Sequence, residues 1–214
     1  MFSLDLQRYR LVDLSVTIEP PGTEERPLEV TIGRLADDTF KTDISRLHSH
    51  VGTHVEAPAH FYEQGASITE VPLDRFFGPA ALLSIDDASE RVVTGEVLDR
   101  HLSDVLEPGY ILLCRNGVHD TRETMEGIPT LTPDAAHWMV EHEVKLLVID
   151  CWFGLGEDVP HTRELHDVVM SRDICIVEFA VLDELRRDRC FFMSLPVAFA
   201  MDSSFARAVA LEER

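Results

Sequence analysis

Residues 50–60 read His50-Val51-Gly52-Thr53-His54-Val55-Glu56-Ala57-Pro58-Ala59-His60, so imidazoles and a carboxylate fall at even positions of one short segment. Imidazole and carboxylate are ligands that zinc, manganese and related divalent ions take, and a further histidine in such a cluster can work as an acid or base. The segment does not suit a helix. Val51, Thr53 and Val55 are β-branched, Gly52 is a poor helix former, and Pro58 blocks a helix just beyond His54. An extended chain puts His50, His54, Glu56 and His60 on one side. At a rise of about 3.3 Å per residue, however, His50 and His54 would stand roughly 13 Å apart, too far to share an ion. The chain must therefore bend: Gly52 can take a positive φ, and Pro58 fixes a second bend before His60. His48, on the same side, reads as a pocket neighbour rather than a ligand.

The segment closely resembles HxGTHxDxPxH, the signature of the cyclase family, which includes bacterial kynurenine formamidases and isatin hydrolase. Glu56 stands where that signature has aspartate, and its extra methylene leaves ligation possible while altering metal position, bridging ability or metal preference. The resemblance continues through Val12-Asp13-Leu14-Ser15, Ile68-Thr69-Glu70-Val71-Pro72-Leu73, Gly78-Pro79-Ala80, and the stretch from Leu131-Thr132-Pro133 to Leu147-Val148-Ile149-Asp150. Downstream, His166 and Glu178 resemble the family's distal histidine and glutamate, and Ser203-Ser204-Phe205-Ala206-Arg207 is a degraded form of its GSPxR. The resemblance implies His50, His54 and Glu56 around one ion, with His166 and Glu178 joining Glu56 at a second. It implies His60 as the catalytic acid and base, zinc or manganese as cofactor at one or two ions per chain, and a homodimer.

Side chains more than a hundred residues apart can meet only in a folded core, so metal binding should stabilise the fold. Branched apolar runs at residues 11–18, 80–85, 110–114, 146–149 and 174–177 read as strands. Thr132 can cap a helix with Pro133 at its first position, and Ala135, Ala136, Met139 and Val140 supply its apolar face. Residues 95–105 and 162–170 are shorter helical candidates. Strands and helices alternate late in the chain, which predicts an α/β fold with a mixed sheet. The family resemblance implies the more specific form, a β/β/α layered or barrel-like core with flanking helices.

The 214 residues carry no linker, repeat or low-complexity tract and read as a single domain over 1–214. A net charge of −20 disfavours nucleic acid and anionic membrane surfaces, and no basic patch offsets it. No apolar stretch is long enough to span a bilayer, and charged residues interrupt the first ten positions where a secretory signal would lie. Cys114, Cys151, Cys175 and Cys190 form no CxxC pair and read as buried thiols in a reducing cytoplasm, with Cys151 able to border the pocket. The expected activity is metal-dependent hydrolysis of a small amide, lactam or ester, in which the ion lowers the pKa of water and polarises the carbonyl while His60 moves the proton. By resemblance, an N-formyl aromatic amine or a fused-ring lactam is a plausible substrate, with Phe61, Tyr62, Trp152 and Phe153 as a candidate aromatic wall. The alternatives are a cyclase or dehydratase using the same ion, or a metal-binding homologue without turnover. No GxSxG elbow is present to support a serine hydrolase.

Overall fold

A computed structural model describes residues 5–36 and 39–214. The chain begins with β1 (Tyr9–Asp13), the hairpin β2 (Leu28–Ala36) and β3 (Thr39–Leu47), and the short β4 (His54–Glu56). Three strand-and-helix units follow: β5 (Phe77–Ile85), β6 (Val92–Val93) and α1 (Gly95–Leu102); β7 (Ile111–Asn116), β8 (Thr130–Leu131) and α2 (Pro133–Glu141); then β9 (Leu146–Asp150), β10 (Gly154–Leu155) and α3 (Val159–Met170). The chain ends on β11 (Cys175–Ala180), β12 (Arg189–Pro196) and β13 (Ser203–Glu213).

The sheet order is β1-β13-β12-β5-β7-β9-β11-β4, and β4 pairs back onto β13, so the strands from β13 round to β4 close a barrel with β1 added at one edge. β5, β7, β9 and β11 run parallel, each joined to the next through a helix, whereas β12, β13 and β4 complete the ring with antiparallel pairs. This is the α/β, mixed-sheet, barrel-like architecture with flanking helices that the sequence and its resemblance led us to expect.

A period of two decides which side chains go where, because successive strand residues face opposite sides. Leu82, Leu113, Val148 and Val177 fill the barrel interior, while Leu83, Leu112, Leu147 and Ile176 face the helices. Both faces are therefore apolar, as parallel strands covered by helices require. Each fully buried leucine or isoleucine stabilises the fold by about 1.5–3 kcal/mol, which makes the wall carrying the site stiff.

Local signals set the helices. The Thr132 hydroxyl accepts from the Ala135 amide at 3.3 Å and Pro133 opens α2. α3 starts at Val159, earlier than the apolar pattern suggests, because the Asp158 carboxylate caps it through the His161 amide and Pro160 is tolerated in a first turn. The expected strand over 11–18 ends at Asp13. Beyond it the Leu14 amide still bonds Ala208, but Ser15 bridges to Ala180 and the Val16 amide donates to the Thr53 hydroxyl, so the chain leaves one strand partner for several. The β2–β3 hairpin was not foreseen. Among the described residues its strands form a two-stranded sheet with each other, and Ile32, Leu35, Phe40 and Ile44 on it are exposed.

Candidate metal centre

Gly52 takes φ +60°, β4 is extended, and Pro58–His60 forms a single 3₁₀ turn, so the segment bends at both residues that the sequence marks for bending. Gly52 has a steric reason as well: a Cβ there would lie 2.4 Å from the Ile18 side chain. β4 lies between β11 and β13, with Glu178 opposite His54 and Ser203 opposite Glu56. Directly opposed residues share a face. Val55 and Val177 point into the barrel, so His54, Glu56 and Glu178 lie on its outer face. α3 brings His166 to that face, on the side that also buries Leu165 and Val169.

The sequence-identified side chains converge. His50 Nδ1 is 3.1 Å from His54 Nε2 and 2.8 Å from Glu56 Oε1, and His54 Nε2 is 3.4 Å from that oxygen. The other Glu56 oxygen, Oε2, lies 3.8 Å from His166 Nε2, and Glu178 Oε2 lies 3.7 Å from His54 Nε2. Donors around a tetrahedral ion with bonds of about 2.1 Å stand about 3.4 Å apart, so these separations suit ligation. Two overlapping groups result, His50/His54/Glu56 and Glu56/His166/Glu178, each with its donor atoms within 4.8 Å of one another. Glu56 belongs to both groups, with Oε1 beside His50 and His54 and Oε2 nearer His166, so its length over aspartate does not take it out of either.

Each imidazole is fixed by the nitrogen it does not present to the cluster. His54 Nδ1–H donates to the Gly52 carbonyl at 2.8 Å, and His166 Nδ1–H donates to the Thr162 carbonyl at 2.7 Å. A carbonyl only accepts, so in the neutral ring each Nε2 carries the lone pair that a metal needs. His50 turns Nδ1 inward, and its Nε2 lies 3.0 Å from Asp202 Oδ2. His48 Nδ1 accepts from the His50 amide at 3.1 Å.

The electrostatics call for a cation. Glu56 Oε2 is buried with no hydrogen-bond partner, and an orphaned carboxylate oxygen is costly unless something positive meets it. Burial alone would raise the Glu56 pKa, but the His50 and His54 imidazoles in contact with its carboxylate hold it far below the usual range. Burial and then the Glu56 charge push Glu178 up to about 7. Burial lowers His166, leaving a neutral ring, and Asp202 is lowered against its own burial by hydrogen bonds from His50 and His60. Three clustered imidazoles, one ionised carboxylate and a second that ionises near neutrality make a donor set that fits a divalent ion.

Glu178 gives a signed prediction for metal-free protein. Its unfolded pKa is near 4.5 and its folded value about 7, so the unfolded chain ionises first as pH rises. The folded state therefore loses stability between those values, by up to about 3 kcal/mol above pH 7, and loses nothing below pH 4.5. Glu178→Gln removes that dependence. In urea titrations with chelator present, the variant should gain on wild type from pH 4.5 to 7, whereas a gap constant with pH would contradict the account. Zinc should reverse the order, since the variant lacks one carboxylate of the Glu56/His166/Glu178 group.

His60 is more exposed. Its Nε2 lies 3.8 Å from Glu56 Oε1 and its Nδ1 lies 3.2 Å from Asp202 Oδ2. Of the four aromatic candidates, only Phe61 touches the cluster, stacking on His166 with centroids 4.7 Å apart and edge-on to His60. Tyr62 instead bonds Asp167, Phe153 packs in the core, and Trp152 lies under the Arg122 guanidinium. Arg207 of the degraded GSPxR faces away, paired with Asp13, while Ser203–Phe205 supply the backbone that pairs with β4. Cys151 does border a cavity of about 560 Å³, beside Phe179 and Arg26. Cys114 and Cys175 are buried, but Cys151 and Cys190 are only half-buried.

Two participants escaped the sequence reading. One is Asp202. The other is Phe179, whose ring stacks on His54 at 5.7 Å and carries the Arg26 guanidinium on it at 4.5 Å. Phe179 sits at φ +55° where the β11–β9 register shifts, a bulge of the kind that re-aims side chains beside functional sites.

Fold and side chains together define a class, an α/β barrel whose outer wall holds a histidine–carboxylate cluster suited to divalent ions. The family model Putative cyclase matches residues 12–153, and the chain belongs to that family. A kynurenine formamidase of Bordetella petrii is 28% identical over 169 residues, 78% of each chain. One from Salinibacter ruber is 27% identical over 213 residues, covering 93% of this chain and 96% of its own. The crystal structure of an isatin hydrolase bound to the product analogue thioisatinate superposes with a TM-score of 0.79 at 16% identity, covering 97% of this chain and 94% of that one. At that identity the likeness is one of fold.

Proposed function

We propose that the protein is a metal-dependent hydrolase of a small amide, lactam or ester, acting on C–N bonds outside peptides. Arylformamides and isatin-like fused lactams are the leading substrate classes. The observation that carries the reading is His60, an imidazole held beside both donor groups yet placed where one nitrogen faces Glu56 and the other a carboxylate outside them. A passive metal site has no use for such a group. The kynurenine formamidase relatives and the isatin hydrolase neighbour support the substrate classes.

In this reading His50, His54 and Glu56 hold one ion, and His166 and Glu178 with Glu56 can hold a second, zinc or manganese in either case. When bound, the ion lowers the pKa of water towards neutrality and polarises the substrate carbonyl. His60 Nε2 takes the proton from the attacking water and returns it to the departing nitrogen or oxygen. Phe61, stacked on His166, keeps one flank of the site apolar.

Residues 1–214 act as one hydrolase domain in this proposal. A homodimer is its assembly, supported by the exposed Ile32, Leu35, Phe40 and Ile44 of the β2–β3 arm, which a second copy would cover. A reducing cytoplasm suits the four free cysteines. Among the described residues no helix is long and apolar enough to cross a membrane.

The test is a panel of formanilides, fused lactams and lactones followed by product mass. Hydrolysis adds one water or releases formate. A product that has lost water, or a panel wholly untouched by metal-loaded protein, would contradict the proposal.

A further inference from the structure

The geometry assigns Asp202 as a positioning residue that fixes ring orientation and tautomer in His50 and His60 together, one carboxylate serving a metal ligand and the proton carrier. The inference rests on the reading of the cluster just given. A single oxygen, Asp202 Oδ2, lies 3.0 Å from His50 Nε2 and 3.2 Å from His60 Nδ1. A carboxylate only accepts, so both of those nitrogens must donate. For His50, with Nε2–H held by Asp202, Nδ1 is the nitrogen left to face His54 and Glu56, 2.8 Å from Glu56 Oε1, and to offer its lone pair there once a metal replaces the proton shared with that carboxylate. For His60 it leaves the Nε2 lone pair on the side of Glu56, 3.8 Å from its Oε1, where a general base must accept. The opposite His60 tautomer would present N–H to the site and could not take a proton there.

His54 and His166 receive the same service from backbone carbonyls. Asp202 is thus the side-chain anchor among these contacts, and a substitution can remove it without rebuilding the main chain. The backbone around it is tied independently: the Ala57 amide donates to the Asp202 carbonyl at 2.9 Å, the Ile68 amide donates to the Met201 carbonyl at 3.0 Å, and Ser203 pairs with Glu56. Losing the carboxylate should therefore free the two rings while β13 stays in place.

The rival is that His50, His60 and Asp202 themselves hold an ion, since their donor atoms also lie within 4.8 Å of one another. His50 would then have to bind through Nε2, giving up its place beside His54 and Glu56 or bridging two ions as an imidazolate. Two sound hydrogen bonds describe the contacts without either demand.

The experiment compares wild type with Asp202→Asn and Asp202→Glu by three readouts. The first is the ¹⁵N spectrum of the zinc-loaded protein, with the His60 signals assigned by their loss in His60→Ala. The second is zinc affinity and ion count per chain from chelator competition and elemental analysis. The third is kcat and KM on the best panel substrate. In wild type His60 should be the Nδ1–H tautomer. In Asp202→Asn that tautomer should lose its dominance, zinc affinity should fall about 10–100-fold with the saturated ion count unchanged, and kcat should fall with little change in KM. Asp202→Glu should recover part of each. A lower ion count at saturating zinc would make Asp202 a ligand and overturn the assignment, as would an unchanged His60 tautomer in Asp202→Asn. The spectrum and the zinc titration need no substrate, so a chain that hydrolyses nothing would sink the hydrolase reading while leaving this test intact.

Discussion

His60→Ala should lower turnover by about 10²–10⁴ while metal content stays near wild type. Both halves follow from where the ring sits. Its Nε2 comes no nearer than 3.8 Å to Glu56 Oε1, and its other nitrogen is taken by Asp202, so His60 can move a proton without carrying the ion. The loss should fall on kcat, because alanine removes the proton carrier while Phe61 stays stacked on His166. Elemental analysis beside steady-state kinetics decides the matter. A His60→Ala protein that loses its metal would make His60 a ligand and upset the division of labour. One that keeps both metal and full turnover would move the proton elsewhere, with Glu178, raised to about 7 by burial and by Glu56, the next group to examine.

The opposite pattern is expected of His54→Ala. His54 is fully buried, its Nε2 stands within 3.7 Å of His50, Glu56 and Glu178, and its Nδ1 is tied to the Gly52 carbonyl. Removing it takes the ring closest to both donor groups and leaves two acidic side chains facing a hole. Metal binding, turnover and thermal stability should then fall together. A ligand bound at 100 times its dissociation constant stabilises a fold by about 2.7 kcal/mol, so wild type should gain that much on zinc addition and the variant very little. Equal gains in the two proteins would remove His54 from the centre.

How much of this was legible in the chain depended on how local the cause was. The bend at Gly52 and Pro58 could be read because β-branching, glycine and proline act on their own residues. Residues 80–85, 110–114, 146–149 and 174–177 could be read as strands because both faces of β5, β7, β9 and β11 are buried and leave uninterrupted apolar runs. α2 announced itself through Thr132 and Pro133. The β2–β3 hairpin did not, since a largely exposed pair imposes no alternation on its sequence. His166 and Glu178 were found by resemblance alone. Burial of His166 beside Glu56 is a consequence of how α3 lies on the barrel, and no spacing within the helix encodes it. Asp202 lies 152 positions from His50 and 142 from His60. A polar residue before a strand gives no local sign of such partners, and its place just ahead of the Ser203-to-Arg207 stretch is the one signal the chain carries. Phe179 depends on a bulge at Glu178 and Phe179 that a run of β-forming residues does not foretell.

Metal dependence of turnover tests the central claim most directly. Protein stripped with chelator and shown by elemental analysis to be free of divalent ions should hydrolyse the best panel substrate at no more than a few per cent of the rate seen after zinc or manganese is restored. The product should carry one added water, or appear with released formate. Turnover that persists undiminished in protein shown to be metal-free would contradict the account.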